Sequence, residues 1–244
     1  MDKIITDRIY RKMFLMNDLE GETDVHHKLF HNHHNYKYMI TGPKQCGKTS
    51  LLFEMAFRAA EQDFDVLFIS CNPIQKLPHF HGCRQKPSTD VLDKIQIVYP
   101  KTLKECLCLL NGLTHTQTNH YQLIVVDDLD VLISTQRANM IQTCSTLISQ
   151  VIDIVAFSSK LTGVATMLMC TICSDIAQYQ SLIDIINLWI QNEIKFFRPI
   201  SRQAANKEIF HLKCHTKNSS LAVQSDSDVV GIRATFIDGR IFFE

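Results

Sequence analysis

Eight residues constrain this chain more than any others: Gly42-Pro43-Lys44-Gln45-Cys46-Gly47-Lys48-Thr49, followed by Ser50. They fit G-x-x-x-x-G-K-[ST], a turn whose backbone amides cradle phosphate. An apolar run, Tyr38-Met39-Ile40, precedes them and reads as a strand. Leu51 to Ala56 follows and reads as a helix. A glycine turn ahead of a helix can match the pattern by chance, but this strand–loop–helix setting is the one the chemistry needs. Gly42 and Gly47 let the backbone curl and approach an anion without a Cβ in the way. The helix points its unpaired N–H groups and positive dipole end at the same place. In such a turn Lys48 reaches the β- and γ-phosphates of ATP and the Thr49 hydroxyl holds Mg2+.

Phosphate binding alone does not give hydrolysis, which also needs a carboxylate at the tip of a neighbouring strand to orient the metal shell. The run Leu123-Ile124-Val125-Val126-Asp127-Asp128-Leu129-Asp130 supplies one. Asp127 stands where a buried strand emerges, so it joins Lys48 as a catalytic candidate and Thr49 as a metal-holding one. Asp128 and Asp130 read equally well as water-polarising groups or as a solvated turn.

The rest of the chain alternates. Short apolar runs at 65–70, 94–99, 121–126 and 164–172 read as strands. Helical stripes run through Leu103, Cys106, Leu107, Leu110 and Leu113, and through Met140, Ile141, Cys144, Leu147, Ile148, Val151, Ile152 and Val155. Thr102 with Glu105 three residues on makes a capping-box pattern, and Gly163 ends the long helix. This order predicts an α/β fold: a doubly wound, mostly parallel twisted sheet flanked by helices. After a short helix around 176–186 the tail turns β-rich, at 188–197, 208–215 and 229–237. Asp238-Gly239 sets a hairpin that pairs 233–237 with 240–243, so the C-terminal strands should be antiparallel.

Residues 1–35 read as a flexible N-terminal arm, and 36–244 as one domain. The arm's histidines, His26, His27, His31, His33 and His34, have a conceivable metal-ligand spacing. They lack a Cys partner and an apolar face, so a solvated linker fits better. Residues 72–93 read as a polar loop, in which His79, His81 and Cys83 have no matching second half. The formal net charge is zero, so nucleic acid would have to be met by a local patch. Nine cysteines, several inside apolar runs, suggest reduced thiols in an intracellular protein. The charged N-terminus has no signal pattern, and the longest uncharged apolar run, 164–173, is too short for a bilayer.

The order of these parts resembles the RecA-like P-loop NTPase core of recombinases. The closer resemblance is to the recombinase paralogues that partner the SWIM-type zinc-finger protein in animal Shu complexes. It is carried by GPKQCGKTSLLFEMAFRAAE, VLFISCNPIQKLP, KIQIVYPKTLKECLCLL, LIVVDDLD and IRATFIDGRIFF, and spans about residues 38–243. The resemblance implies an ATP- and Mg2+-binding nuclear subunit of a hetero-oligomer. It would bind single-stranded DNA and support recombinase filament assembly in homologous recombination. Two departures weaken the enzymatic expectation. Active recombinases carry a water-activating Glu after the second strand, where this chain has Ser70-Cys71-Asn72. They carry a phosphate-sensing Gln at the end of the strand leading to the DNA loop, where this chain has Ile172-Cys173-Ser174. Losing a general base costs on the order of 10²–10⁴ in rate. The alternative is therefore a scaffold with a structural nucleotide site, acting through protein contacts alone. A small-molecule kinase would need an arginine-rich lid, and Leu129 to Lys160 holds only Arg137.

Two surfaces are open to either reading. Lys195, Arg198, Arg202, Lys207, Lys213 and Lys217, interleaved with Phe196, Phe197 and Phe210, suit single-strand binding by charge and stacking. They equally suit a guarded sheet edge over a core. Phe53, Ala56, Phe57 and Ala60 echo the F-x-x-A element by which recombinases bind one another, but their helical spacing makes a core stripe the first expectation.

Overall fold

The structure is a computed structural model. It describes residues 36–74, 87–115, 120–134, 139–175 and 179–197, and the backbone of 208–216, 230–237 and 240–243. In chain order the strands are β1 (Lys37–Gly42), β2 (Val66–Ser70), β3 (Ile95–Val98), β4 (Leu123–Asp127), β5 (Met167–Cys173), β6 (Asn192–Phe197), β7 (Glu208–Thr216), β8 (Val230–Ile237) and β9 (Arg240–Phe243). The helices are α1 (Lys48–Glu61), α2 (Thr89–Leu92), α3 (Leu103–His115), α4 (Leu129–Ser134), α5 (Met140–Thr162) and α6 (Gln180–Ile186).

The strands form one sheet in the order β3-β2-β4-β5-β1-β6-β7-β8-β9. The pairs from β3 to β6 are parallel. Those from β6 to β9 are antiparallel, and Ile237 faces Arg240 at the hairpin expected there. A parallel strand buried on both faces should be apolar throughout rather than alternating. β2 and β4 are buried at every position, as is β5. One face of the sheet carries Ile40, Phe68, Val125 and Met169 and packs under α1. The other carries Met39, Ile69, Val126 and Cys170 and packs under α3, α4, α5 and α6. Helices on both faces give the doubly wound arrangement.

Local signals explain the boundaries. The Thr102 hydroxyl accepts from the Glu105 amide at 3.1 Å, while the Glu105 carboxylate accepts from Lys101 N at 2.8 Å, one residue earlier than in an ideal capping box. α5 stops at Gly163, whose φ of +68° suits a residue without Cβ. By length and hydropathy α5 could cross a bilayer, but Cys144, Leu147, Ile148, Val151, Ile154 and Val155 are buried against the sheet, as in a core helix.

Three expectations need correction. Ile141 is not part of the α5 stripe: it is 59% exposed, while Ile154, outside the expected stripe, is buried. Thr89–Leu92 is a helical turn rather than loop. Leu188 and Trp189 are not strand. They lie in a turn after α6, and the strand begins at Asn192. The histidine arm and the His79/His81/Cys83 group lie outside the described residues.

Candidate functional site

The turn from Gly42 to Thr49 joins the tip of β1 to the start of α1. Gln45 and Gly47 have φ of +59° and +90°. Left-handed residues at such intervals turn successive amides inward and make an anion-binding concavity. Gly47 fits that conformation without strain, whereas Gln45 holds it with a side chain attached. Gly42 is required for a different reason from the one its sequence suggested. Its φ is not positive, but an added Cβ would lie 2.6 Å from Phe196 Cβ and 2.9 Å from Cys46 Sγ. The close approach is to β6, not only to a ligand.

Lys48 is 6% exposed, and its ammonium donates to the carbonyls of Pro43 at 2.6 Å and Gly42 at 3.1 Å. Cys46 Sγ lies 3.8 Å away. These partners are all uncharged, so a buried cation is met by its own loop. One residue on, Thr49 Oγ1 donates to Asp127 Oδ2 at 2.8 Å, joining the first turn of α1 to the tip of β4. The other Asp127 oxygen accepts from Thr171 Oγ1 at 2.7 Å, and that hydroxyl in turn accepts from Asp128 N at 2.8 Å. A cavity of about 550 Å3 opens here, lined by Lys44, Gln45, Gly47, Lys48, Thr49 and Ser50 on one side and by Asn72, Asp128, Asp130, Val131 and Cys173 on the other. Pro43 is half-buried beside it, and Cys46 is fully buried beneath it.

Burial dominates the electrostatics. It raises the Asp127 carboxyl from 3.8 to about 6, with Asp128 adding repulsion and the two threonines and Lys48 pulling the other way. Asp130 is also raised by burial, partly offset by the Cys173 amide that it accepts at 3.0 Å. The Cys46 thiol is pushed up by burial against the pull of Lys48, so it stays protonated. Cys71 is pushed to about 12 by burial and by nearby Cys106, Asp128, Asp127 and Asp130.

The expected loop residues and Asp127 are thus brought to one place. Neither Asp128 nor Asp130 is a plain solvated turn residue. Asp128 sits at φ +54° and accepts from Asn72 Nδ2 at 2.9 Å, and Asp130 is buried at the start of α4. Asn72 and Cys173 both reach the cavity wall, at the two places where recombinases were expected to carry Glu and Gln. Sequence reasoning missed Thr171, hidden in an apolar strand, and Asp175, whose Oδ2 accepts from Lys44 N at 2.8 Å. An isolated hydroxyl in Met-Leu-Met-Cys-Thr-Ile-Cys was the only available signal for Thr171.

Among the DNA candidates, Lys195 is exposed on β6, directly opposite Lys213 on β7. Arg198, Arg202, Lys207 and Lys217 lie outside the described residues. Phe196 is 1% exposed and belongs to the core, so it offers no stacking surface. Phe53, Ala56, Phe57 and Ala60 are likewise buried, with Phe53 stacked on Phe68 at 4.3 Å between centroids.

No family model matches the chain, and no curated protein matches its sequence. Among solved structures, it is similar to the flagellar accessory protein FlaH from Methanocaldococcus jannaschii, with a TM-score of 0.53 at 14% identity. The likeness covers 93% of this chain and 97% of that one. At that identity the similarity is one of fold: an α/β arrangement with a mostly parallel sheet flanked by helices.

Proposed function

We propose that the chain is an ATP-binding, RecA-like subunit whose P-loop is Gly42 to Ser50. The observation that carries this reading is the 2.8 Å bond from Thr49, which lines the cavity, to Asp127 at the acidic strand tip. The donor set fits a nucleotide with Mg2+. A buried ammonium satisfied only by neutral groups suits polyphosphate. A hydroxyl beside a carboxylate is the oxygen pair a small hard cation takes. Lys48, the loop amides from Lys44 to Gly47 and the N-terminus of α1 would hold the phosphates, with Thr49 and Asp127 on the metal. Mg2+ would supply charge neutralisation there. Thr171 fixes the Asp127 carboxylate and the adjoining backbone together. With Asn72 rather than a carboxylate at the end of β2, phosphate release should be slow, and binding should matter more than turnover.

The test is binding of a fluorescent ATP analogue with Mg2+. Lys48→Ala should weaken it about 100-fold or more, because a charge-assisted contact to phosphate is lost in a buried site. Equal affinity in the variant and the parent would remove the assignment.

The resemblance to Shu-type paralogues extends the proposal. The chain would pair with a SWIM-type zinc-finger protein in the nucleus, bind single-stranded DNA and aid recombinase filament assembly. Lys195, exposed on β6, is the basic group that supports a polyanion there. Co-expression with the zinc-finger protein should yield a stable complex that retains single-stranded DNA. Lys195→Glu should release the DNA without dissociating the complex.

A further inference from the structure

The phosphate turn is already engaged by an anion of the chain itself. Asp175, two residues beyond the end of β5, places Oδ2 2.8 Å from Lys44 N, an amide of the turn whose residue lines the cavity. The same junction is fixed by a second contact, Ser174 N donating to Gly42 O at 2.9 Å. Lys48 is meanwhile folded onto the carbonyls of Gly42 and Pro43. One amide and the ammonium, both natural partners of phosphate, are therefore held by acceptors of the protein. An incoming phosphate must take these donors from a carboxylate and from two carbonyls. Only the carboxylate is charged, and it is tethered beside the site whether or not it keeps its bond.

We infer that Asp175 is a built-in competitor for the phosphate turn and sets how strongly the site distinguishes nucleoside triphosphate from diphosphate. This rests on the turn being a nucleotide site, as proposed above. A fixed negative charge penalises a bound anion in proportion to that anion's own charge. The triphosphate therefore loses more than the diphosphate. Asp175 is exposed, so the penalty is screened by salt. As a positioning and selectivity residue it would hold the chain end of β5 on the turn when no nucleotide is present, and give up that hold when phosphate binds.

The experiment measures ATP and ADP dissociation constants, with Mg2+, for the full chain and for Asp175→Asn, Asp175→Ala and Asp175→Glu. Asp175→Asn keeps an oxygen acceptor and removes the charge. Asp175→Ala removes both, and Asp175→Glu restores the charge. Asn and Ala should each tighten ATP by about three- to ten-fold and ADP by clearly less, and the difference should shrink at high salt. Glu should stay within about two-fold of the parent for both nucleotides. ATP and ADP improving by one common factor, or ATP affinity unchanged or lowered in Asn and Ala, would overturn the inference and leave the nucleotide site standing. Failure of all forms, the parent included, to bind either nucleotide would remove the site and this role with it.

Discussion

Along the bodies of β4 and β5, Leu123 to Val126 and Met167 to Cys170 lie side by side in register, wholly buried and apolar. One residue further on, the same two strands bury Asp127 and Thr171, and the neighbouring turn buries Lys48. Burial is equal in the two regions, yet its consequences are opposite. In the bodies it removes apolar surface from water and stabilises the fold. At the tips it desolvates charges, which costs free energy even after hydrogen bonding. The raised carboxyl of Asp127 is the mark of that cost, and the left-handed backbone of Gln45 and Asp128 adds a steric strain of its own. The strand bodies sustain a site that would not hold together by itself.

Substitutions sharpen the contrast. The largest effect should come from the body: Phe68→Ala removes a fully buried ring stacked on Phe53 and should cost about 3–5 kcal/mol in denaturant unfolding. A loss below about 1 kcal/mol would mean the bodies are not where stability resides. At the tip the sign should reverse. The folded carboxyl of Asp127 titrates near 6 against an ordinary 3.8, so the native state holds its proton more tightly than the unfolded chain. Its contribution is complete below about pH 4 and is lost as pH rises through about 6. Asp127→Asn should therefore make the nucleotide-free protein more stable at pH 7.5, by about 2–3 kcal/mol, and should weaken Mg2+-dependent nucleotide binding. An Asn variant that unfolds earlier than the parent at that pH would break the comparison. Gly42→Ala joins the two regions. Its new methyl meets Phe196 Cβ, an atom every residue but glycine carries, so overpacking should lower stability by about 1–3 kcal/mol in denaturant unfolding, and a second change, Phe196→Leu, should recover none of the loss. The smallest effect is expected from Thr171→Val. It strips Asp127 of one bond and Asp128 N of its acceptor, for about 1–2 kcal/mol at pH 7.5.

The same division explains what could be read from the letters. Strand bodies announce themselves through short apolar runs, and helices α3 and α5 through their stripes, because burial on a regular element imposes a period. The glycine turn and Asp127 stood out because each lies where such a run ends. Thr171 and Asp175 did not, and Asp130 stayed open between a water-polarising group and a solvated turn. Each acquires its partner across more than 40 residues of chain: Thr171 with Asp127, Asp130 with the Cys173 amide, Asp175 with the Lys44 amide. No local spacing encodes such meetings. Ile141 shows the complementary failure, since periodicity marks a face without saying how wide it is. Phe196 shows a third: basic and aromatic letters in alternation suggested a binding surface, and the strand's period of two sends that phenylalanine to the interior while Lys195 stays outside.

The seating of Gly42 against Phe196, together with the 2.6 Å bond from Thr41 to the buried Glu193, gives β6 a part in the glycine turn's own masonry. A chain trimmed before residue 192 would lose more than a trailing hairpin. Thr41 would face water where a carboxylate now stands, and the turn would have an open flank. Shortened versions intended to isolate the turn should keep β6, whatever else they discard.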